Sequence, residues 1–421
     1  MDRLAAYNRL LALYAACVLL ALAGFNLLID PYGNFDMPRI SGVNELSLGF
    51  NRRPVLSKAF AVSRIRPASV VLGNSRPESG YDPGYGGFEA PAYNLAVGGA
   101  GIGEARRLFL EALAAGRLTQ VLLALDLTMF DPSLETTQRI PETFVLADDS
   151  GRIAGFDREW RRLAFALLSG TAVLDSWWSF RHQRDPEVRY LPSGLRDESV
   201  DERQIERRGG PRGISLRAES ALLARTLRDV TSPGFHKSYD ELLRELGEII
   251  AISAQHGVRL DIVINPIHAR YSYAYAAAGL WPAYEQWKRD LVVAVARPPR
   301  AAALWDFSGV SGCTSETMPQ EGDATTKMRW FRESSHFRSR LGALVLDQVY
   351  GRVGADACPD LGRRLDARSL DATLASQRAA LDHWITNHPD DVSEIDGLAR
   401  RYGRGSYSGQ GSAGSRRVKA P

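Results

Sequence analysis

Cysteine and histidine are scarce in this chain, and they show none of the spacings that bind metal ions. The 421 residues include three cysteines and seven histidines, with no CxxC or HExxH motif. Structural and catalytic zinc sites are built from such closely spaced ligands. The sequence therefore predicts no metal site.

Net charge is also low. The formal value is +3, which is too small to indicate a nucleic-acid partner. Hydrophobic residues make up 45% of the chain and charged residues 24%, as in an ordinary globular protein. The length suffices for one large domain or two ordinary ones with a sizeable core.

One long stretch lacks charge altogether. Residues 10–29 (LLALYAACVLLALAGFNLLI) contain no charged side chain, and a helix of about 20 apolar residues spans the hydrocarbon core of a bilayer. Arg3 and Arg9 precede the stretch, and Asp30 and Asp36 follow it. The positive-inside rule then predicts a cytoplasmic N-terminus and an exported domain.

A cleaved signal peptide is the alternative interpretation of this stretch. Residues 21–23 (Ala-Leu-Ala) have the small-x-small pattern of a cleavage site. The apolar run continues beyond them to Ile29, which favours a retained, single-pass anchor in the inner membrane. Either interpretation places the rest of the chain on the periplasmic or extracellular side.

The cysteines fit an exported chain. Cys17 lies within the anchor, so Cys313 and Cys358 are the two that remain outside it. In an oxidising compartment these two could pair as a disulfide. Two buried free thiols are the alternative, and both stay open at this point.

Strand and helix patterns alternate over most of the chain beyond the anchor. The strand candidates are nearly continuous apolar runs, as expected of strands buried on both faces. Their alternation with amphipathic helices predicts a parallel sheet covered on both sides, in a three-layer α/β/α fold. The predicted strands are residues 69–72, 92–96, 120–127, 259–265 and 302–307, and the predicted helices are residues 103–115, 239–256, 281–296 and 336–350.

Two segments depart from this alternation. Residues 30–66 look irregular, with a turn at DPYGNF. Residues 131–237 form an insertion between the third and fourth strands: its first part is aromatic and helical, and residues 196–213 carry many charges of both signs. A solvated loop is one interpretation of the charged part, and a substrate-binding lid is the other.

The exported domain is expected at residues 31–360, after the anchor segment of residues 1–30. Residues 361–400 have the pattern of additional helix. Residues 401–421 are basic and rich in glycine and serine, a composition typical of a disordered tail.

Small or polar residues follow several of the predicted strands, and open α/β sheets form their sites at the carboxyl ends of strands. The first strand ends in Gly73-Asn74-Ser75-Arg76, and the second ends in AVGGAGIG, which contains Gly98. The third, fourth and fifth strands end at Asp126, at NPIHARY, which contains His268, and at Asp306.

A nucleophile is one interpretation of Ser75, and an ordinary turn serine is the other. A nucleophilic serine needs a base within hydrogen-bond reach, and the base needs an acid that orients it. His336 is the candidate base, and Glu333, three residues before it, can hold one ring nitrogen. Glu333 could instead be a carboxylate favoured by a helix dipole, and Asp306 is the alternative acid.

Backbone N–H groups near Ser75 would stabilise the negative charge of a tetrahedral intermediate. Those of Ser75 and Gly98 are the main candidates, with Asn74 or Arg76 as further donors. Arg76 could equally be a salt-bridge partner that fixes the loop. Asp126 and His268 could contact substrate, but capping of the following turn and hydrogen bonding to neighbours are their structural alternatives.

Residues 98–103 (GGAGIG) have the glycine spacing of a dinucleotide-binding loop. They follow the second predicted strand instead of the first. An exported protein also has little access to NAD. We therefore expect no cofactor.

Together these segments resemble the SGNH (GDSL-like) hydrolase superfamily, which pairs an early serine with a late Asp-x-x-His on a flavodoxin-like α/β/α sheet. Gly73-Asn74-Ser75, the glycine after the second strand and Glu333-x-x-His336 carry this resemblance. The anchor, DPYGNF, GNSR and YNLAVGG are similar to its membrane-anchored, exported branch, which includes the alginate O-acetyltransferase J and X proteins and the D-alanyl-lipoteichoic acid protein D. The similarity covers roughly residues 25–350.

Two positions depart from that family. Glu333 stands where the family usually has aspartate, and no oxyanion asparagine in a Gly-x-Asn block follows residues 123–126. Oxyanion donation would then rest on the Ser75 and Gly98 N–H groups.

The resemblance implies a serine-dependent O-acyltransferase or esterase that acts on an extracytoplasmic cell-envelope polysaccharide through an acyl-serine intermediate. Its partners would be that polysaccharide, an acyl donor and the membrane, with a membrane-bound acyltransferase or other envelope assembly subunits as further candidates. The alternative is a non-catalytic, membrane-anchored envelope subunit that binds glycan or partner proteins. The absent asparagine favours this alternative, and Ser75 with Glu333-x-x-His336 favours the enzyme.

Overall fold

The structure is a computed structural model of the chain. It describes residues 2–131, 147–148, 156–184, 187, 189–225, 233–297, 302–352 and 358–402. Parts of the predicted insertion, and the predicted tail from residue 403 onward, lie outside these described residues.

The chain has an α/β fold with a mixed, mostly parallel sheet of six strands in the order β2-β1-β3-β4-β5-β6. The predicted class is therefore confirmed. β1 pairs in parallel with β2 and with β3, whereas the edge strand β6 pairs antiparallel with β5. The strands are β1 (Ser69–Leu72), β2 (Ala92–Asn94), β3 (Gln120–Leu125), β4 (Arg259–Ile264), β5 (Ala302–Asp306) and β6 (Arg363–Arg364).

The apolar runs predicted β1 to β5 to within two residues, and burial on both faces explains this for β1, β3 and β4. All residues of β1 and β3 are buried, and so are five of the six residues of β4. The antiparallel β6 was not predicted, because its two arginines carry no apolar pattern.

Helices fill most of the remaining described chain. The first seven are α1 (Asp2–Ile29), α2 (Gly49–Arg52), α3 (Pro54–Ile65), α4 (Ser75–Gly80), α5 (Ile102–Ala114), α6 (Phe156–Leu168) and α7 (Gly170–Arg181). The others are α8 (Glu198–Arg207), α9 (Gly210–Arg225), α10 (Pro233–Gln255), α11 (Ala269–Ala277), α12 (Trp281–Ala296), α13 (Ser339–Val349), α14 (Leu370–Asn387) and α15 (Pro389–Arg401).

Two segments that were predicted to be irregular contain helices, and each prediction was wrong for its helical part. Residues 30–48 are irregular as predicted. Residues 30–66 contain α3, which begins at Pro54 and is buried continuously to Val62. Such all-round burial leaves no amphipathic period for sequence analysis to detect. Residues 196–213 contribute to α8 and α9, so the loop interpretation was wrong for these residues. The lid interpretation stays a prediction.

Tertiary contacts divide the chain into two compact units. The first comprises residues 1–203, 237–263 and 297–303, and the second comprises residues 204–236, 264–296 and 304–421. In the first unit, α1 packs against α6 and α7, and α5 packs against α3 and β1.

The second unit contains a helical cluster in which α11 packs against α9, α14 and α15. The fully buried Arg270 on α11 binds carboxylates from two of these helices: Glu219 of α9 at 2.9 Å and Glu394 of α15 at 2.8 Å. Asp391 of α15 also pairs with Arg270. A buried charge is stable only when it is paired in this way, so α15 is part of the folded unit.

Cys313 and Cys358 form a disulfide with a Cα–Cα distance of 6.3 Å, and Cys17 is a free, exposed cysteine. Of the two alternatives for the pair, the structure contains the disulfide. It closes a loop with a sequence separation of 45 residues.

Candidate active site

A sharp turn connects β1 to α4 and requires glycine at position 73. Gly73 has φ +144°, and a Cβ atom there would lie 2.5 Å from the Ala124 carbonyl oxygen and 2.6 Å from Pro77 Cγ. Asn74 then caps α4, because its side-chain oxygen accepts a hydrogen bond from the Arg76 N–H at 3.0 Å. The turn thus places Ser75 at the first position of α4.

Ser75 is the one partly exposed residue in the segment from Val70 to Gly80, all of whose other residues are buried. The buried strand β1 precedes Ser75 in the chain, and the buried remainder of α4 follows it. The hydroxyl-bearing residue at the carboxyl end of β1 is therefore accessible on an otherwise inaccessible turn, as a nucleophile has to be.

Gly98 lies directly beside Ser75, as predicted for an oxyanion donor. A Cβ atom built on Gly98 would be 3.7 Å from Ser75 Cβ and 3.2 Å from Glu78 Oε2. Gly98 is exposed, and no residue among those described accepts a hydrogen bond from its N–H. The neighbouring Val97 N–H, in contrast, donates to the Gly73 carbonyl at 3.0 Å, which ties this loop to the β1 turn.

Arg76 and Asp126 form a buried ion pair with each other. We predicted that both could contact substrate, and for Asp126 the structural alternative was a cap. The Asp126 side chain makes no cap hydrogen bond to the following turn, Leu127–Phe130. The structure thus supports the salt-bridge interpretation of Arg76. This buried pair connects the chain after β1 to the chain after β3.

A buried charged cluster that sequence analysis missed surrounds Glu78, one helical turn after Ser75. Its Oε1 accepts a hydrogen bond from the Tyr190 hydroxyl at 2.9 Å and lies 3.7 Å from Lys58 Nζ. Arg196 Nη1 lies 3.8 Å from Oε2. Lys58 also donates to the carbonyl of Ala96, two residues before Gly98. The cluster is therefore hydrogen-bonded to the chain that leads into the glycine loop.

Lys58 is fully buried, and desolvation lowers its pKa to about 8, although the Glu78 carboxylate opposes this shift. The one signal of this residue in the sequence is a lysine within residues 54–63, which are otherwise apolar or small. Tyr190 and Arg196 had no signal, because they come from a distant part of the chain.

Glu333 and His336 are in contact in the second unit, as the Glu-x-x-His spacing predicted. His336 Nδ1 is hydrogen-bonded to Glu333 Oε1, and Glu333 Oε2 accepts the Ser335 N–H at 2.8 Å. Burial alone would raise the pKa of Glu333, but the charge and hydrogen bond of His336, together with the Ser335 N–H, lower it overall. The carboxylate is thus ionised and oriented toward the imidazole.

The segment that carries this dyad is tightly held, except at the imidazole. Phe331 and Phe337 form an antiparallel bridge, and the Arg332 N–H donates to the His336 carbonyl at 2.9 Å. Within residues 331–337, His336 alone is partly exposed, with 31% of its side chain accessible. The predicted helix at residues 336–350 begins three residues later, at Ser339, because this bridge occupies the chain before it.

The structure favours the structural alternative for His268, hydrogen bonding to its neighbours, over contact with substrate. It is buried, its Nδ1 accepts the Arg270 N–H at 3.2 Å, and its Nε2 donates to the Glu316 carbonyl at 2.7 Å. Desolvation lowers its pKa to about 4, so it is neutral. The His268 N–H donates to the Ser334 carbonyl at 3.1 Å, which makes His268 a support for the dyad segment.

Asp306, the alternative acid for His336, forms an ion pair with Lys288. Its Oδ2 lies 2.9 Å from the buried Lys288 Nζ, and its Oδ1 accepts the Ser308 hydroxyl at 2.7 Å. Burial alone would raise the pKa of Asp306, but Lys288 and Ser308 lower it overall. Of the two candidate acids, Glu333 is the one that is hydrogen-bonded to His336.

The candidate residues thus form two groups. Ser75 and Gly98 are adjacent in the first unit, and Glu333 and His336 are bonded in the second. The first group can carry a nucleophile beside a backbone donor, and the second can carry an oriented base. Among the described residues, no group of three or more His, Cys, Asp or Glu side chains is placed to hold a metal ion.

Comparison of the chain with protein-family models and with curated protein sequences found no match.

Proposed function

We propose that this chain is a membrane-anchored, serine-dependent O-acyltransferase or esterase of the SGNH type, with an extracytoplasmic envelope polysaccharide as its substrate. The observation that carries the proposal is the selective exposure of Ser75 and His336. Each is the one accessible residue of an otherwise buried segment, and each has the neighbour its role requires, Gly98 for Ser75 and Glu333 for His336.

The sheet supports this assignment. The order β2-β1-β3-β4-β5 corresponds to the 2-1-3-4-5 order of flavodoxin-like sheets, whose ligands bind beyond the carboxyl ends of the strands. Ser75 follows β1, at the point where the strand order reverses between β2 and β3. We propose in addition that the sheet and its helices form a three-layer, SGNH-type α/β/α domain.

In the proposed reaction, Ser75 Oγ attacks the carbonyl carbon of an acyl ester, and His336 accepts the serine proton. The Ser75 and Gly98 N–H groups stabilise the negative charge on the carbonyl oxygen. When the intermediate collapses, the proton passes from His336 to the departing alcohol oxygen and an acyl-serine remains. A sugar hydroxyl or water then attacks this ester and gives its proton to His336. The acyl–Ser75 bond breaks, and His336 returns the proton to Ser75 Oγ, so transfer and hydrolysis share one pathway.

The test is acylation of Ser75 in the full-length chain. The purified protein is incubated with an activated acetyl ester and candidate glycans, and peptide mass spectrometry follows the acetyl group. We expect acetyl on Ser75, and its loss in Ser75→Ala and His336→Gln variants. Ser63→Ala is a matched control, because Ser63 is a half-buried serine of α3 in the same unit, and this variant should be acylated like the wild type.

The second candidate function is the non-catalytic envelope subunit. The observation that favours it is at the end of β3, where Asp126 pairs with Arg76 and no asparagine supplies a third oxyanion donor. Folded protein whose Ser75 stays unmodified with every donor, together with unchanged envelope acylation in cells that carry Ser75→Ala, would replace the enzyme by this function.

A further inference from the structure

Helices α6 and α7 expose an unusual amount of apolar surface, which the proposed catalytic function does not use. Trp160 and Leu168 of α6 are 54% and 43% exposed, and Leu174 and Trp177 of α7 are 65% and 54% exposed. Phe180 of α7 adds a further exposed ring. Single exposed apolar residues are normal, but such a group on adjacent helices marks an interaction surface.

The exposed residues recur at helical spacing. On α6, Trp160, Ala164 and Leu168 follow one another at intervals of four residues, and all three are exposed. On α7, Leu174 and Trp177 are three residues apart, and the opposite side is buried through Ala172, Asp175 and Ser179. Each helix therefore presents one apolar stripe away from the protein core.

This pair of helices packs directly against α1, the apolar N-terminal helix. α1 contacts both α6 and α7, and the Asn26 side chain donates to the Leu167 carbonyl of α6 at 2.8 Å. Asn26 and Ile29 are buried, whereas residues 3–21 of α1 are exposed throughout. The α6–α7 pair thus covers the last two turns of α1, from about residue 22 onward.

The length of α1 then determines where the pair lies. Arg9 marks the cytoplasmic side of the apolar run. From there, residues 10–21 extend only about 18 Å at 1.5 Å per residue, whereas the hydrocarbon core is about 30 Å thick. The turns of α1 that contact α6 and α7 are needed to complete the span, so these helices reach the same depth as its last turns.

We infer that the α6–α7 pair is a second membrane-contacting element, embedded beside α1 in the leaflet where α1 ends, with its apolar stripe facing lipid. Together the two helices are long and apolar enough for a membrane segment, with a 50° bend at the break between them. Arg181, whose guanidinium lies 6.0 Å from the centre of the Trp177 ring, adds the combination of tryptophan and arginine typical of the bilayer interface.

The first unit would then contact the bilayer through two elements, α1 and the α6–α7 pair. The chain continues from α1 into the first unit through Ile29, Asp30 and Tyr32, all of which are buried. This inference rests on α1 crossing a membrane, and it is independent of the chemistry proposed for Ser75.

Tryptophan quenching by lipid tests the inference. The full-length chain is reconstituted in phosphatidylcholine vesicles with ordinary or brominated acyl chains, and bromine quenches tryptophan that touches the hydrocarbon. Of the eight tryptophans, Trp160 and Trp177 are the most exposed, while Trp281, Trp287, Trp330 and Trp384 are buried. We expect quenching in the wild type and loss of most of it in the Trp160→Phe/Trp177→Phe double variant, which keeps the surface apolar.

Two controls make the outcome decisive. Trp305→Phe removes a half-buried tryptophan of β5, and it should leave the lipid-dependent quenching unchanged. Cys17, the free and exposed cysteine of α1, should be protected from an aqueous maleimide if α1 is inserted. Protected Cys17 with equal quenching in the wild type and the double variant would overturn the inference, since the surface would then face water, a second copy or another protein. Reactive Cys17 would overturn it as well, by removing the anchor.

Discussion

At the scale of single residues, the candidate site depends on a few positions whose backbone or charge has no freedom. Gly73 turns the chain from β1 into α4 through a positive φ, and the Lys58–Glu78 pair lies buried beneath the loop of Gly98. Neither feature involves the Ser75 hydroxyl, and both can be tested by measuring the stability of the protein against unfolding.

Replacing Gly73 by alanine should destabilise the first unit by at least about 2 kcal/mol, because a Cβ there meets the Ala124 carbonyl and requires an unfavourable φ. Gly103→Ala is the matched control. A Cβ at Gly103, inside α5, meets nothing within 4 Å, so alanine should stabilise by up to about 1 kcal/mol. Thermal denaturation of the two variants compares them, and equal melting temperatures would contradict this account of the turn.

Lys58 should make stability rise with pH. Its folded pKa is about 8, below the unfolded value of about 10.4. Between these values the unfolded chain binds more protons than the folded one, so the unfolding free energy increases with pH. Below about pH 8 the full cost of burying the charged amine is present.

The measurement compares wild type with Lys58→Met by denaturation between pH 8 and pH 9.5. The wild type should gain about 1.6 kcal/mol relative to the variant over this range. The comparison cancels titrations that the two chains share. Parallel stability curves would mean that Lys58 titrates like an exposed lysine and that the cluster around Glu78 is hydrated.

At the scale of elements, the C-terminal helices are structural parts of the second unit. α15 supplies Asp391 and Glu394 to Arg270, and Arg212 of α9 binds the same two carboxylates, at 3.2 and 2.8 Å. Our sequence analysis placed the end of the exported domain at residue 360. That boundary would separate Arg270 from two of its carboxylates.

A chain truncated after residue 360 should therefore fail to fold its second unit or become strongly destabilised, since an uncompensated buried charge costs about 3–5 kcal/mol. A chain truncated after Tyr402 keeps α15 and serves as the control. Limited proteolysis of the purified proteins distinguishes them: the shorter chain should be degraded within residues 264–296, and the longer one should resist there like the full-length protein. Equal resistance would show that the second unit folds without α14 and α15.

At the scale of the whole molecule, the disulfide and α1 both indicate the cellular compartment in which the protein folds. α1 is long and apolar enough to cross a membrane, and the Cys313–Cys358 disulfide is the kind of bond that persists in oxidising compartments. We propose on these grounds that the domain is exported. Reduction of the bond should lower the unfolding free energy by about 2–4 kcal/mol.

Counting the reactive thiols of the whole chain tests the disulfide and the proposed export. After synthesis with export, a maleimide added under denaturing conditions should label one cysteine, Cys17, and label all three only after reduction. A Cys313→Ser/Cys358→Ser variant should match the reduced wild type in melting temperature. Three reactive thiols in freshly isolated protein would contradict both the bond in the native chain and the proposed export.

What the sequence determined by itself was mostly local. Continuous apolar runs predicted β1, β3 and β4 because strands buried on both faces need no other residue type. The absence of charge over residues 10–29 predicted α1, and the three-residue spacing of Glu333 and His336 predicted a contact that a short segment can make alone. In each case the interacting residues are neighbours in the chain, or the burial is uniform.

Only the tertiary structure decided the rest, because the partners come from distant parts of the chain. Lys288 and not His336 binds Asp306, Asp126 neutralises Arg76, and the ring nitrogens of His268 bind backbone atoms. The sequence analysis assigned no role to Glu219 of α9 or to Asp391 and Glu394 of α15, yet all three surround the buried Arg270. A charge pattern cannot tell a solvated side chain from a paired one, since the pairing depends on which segments the fold brings together.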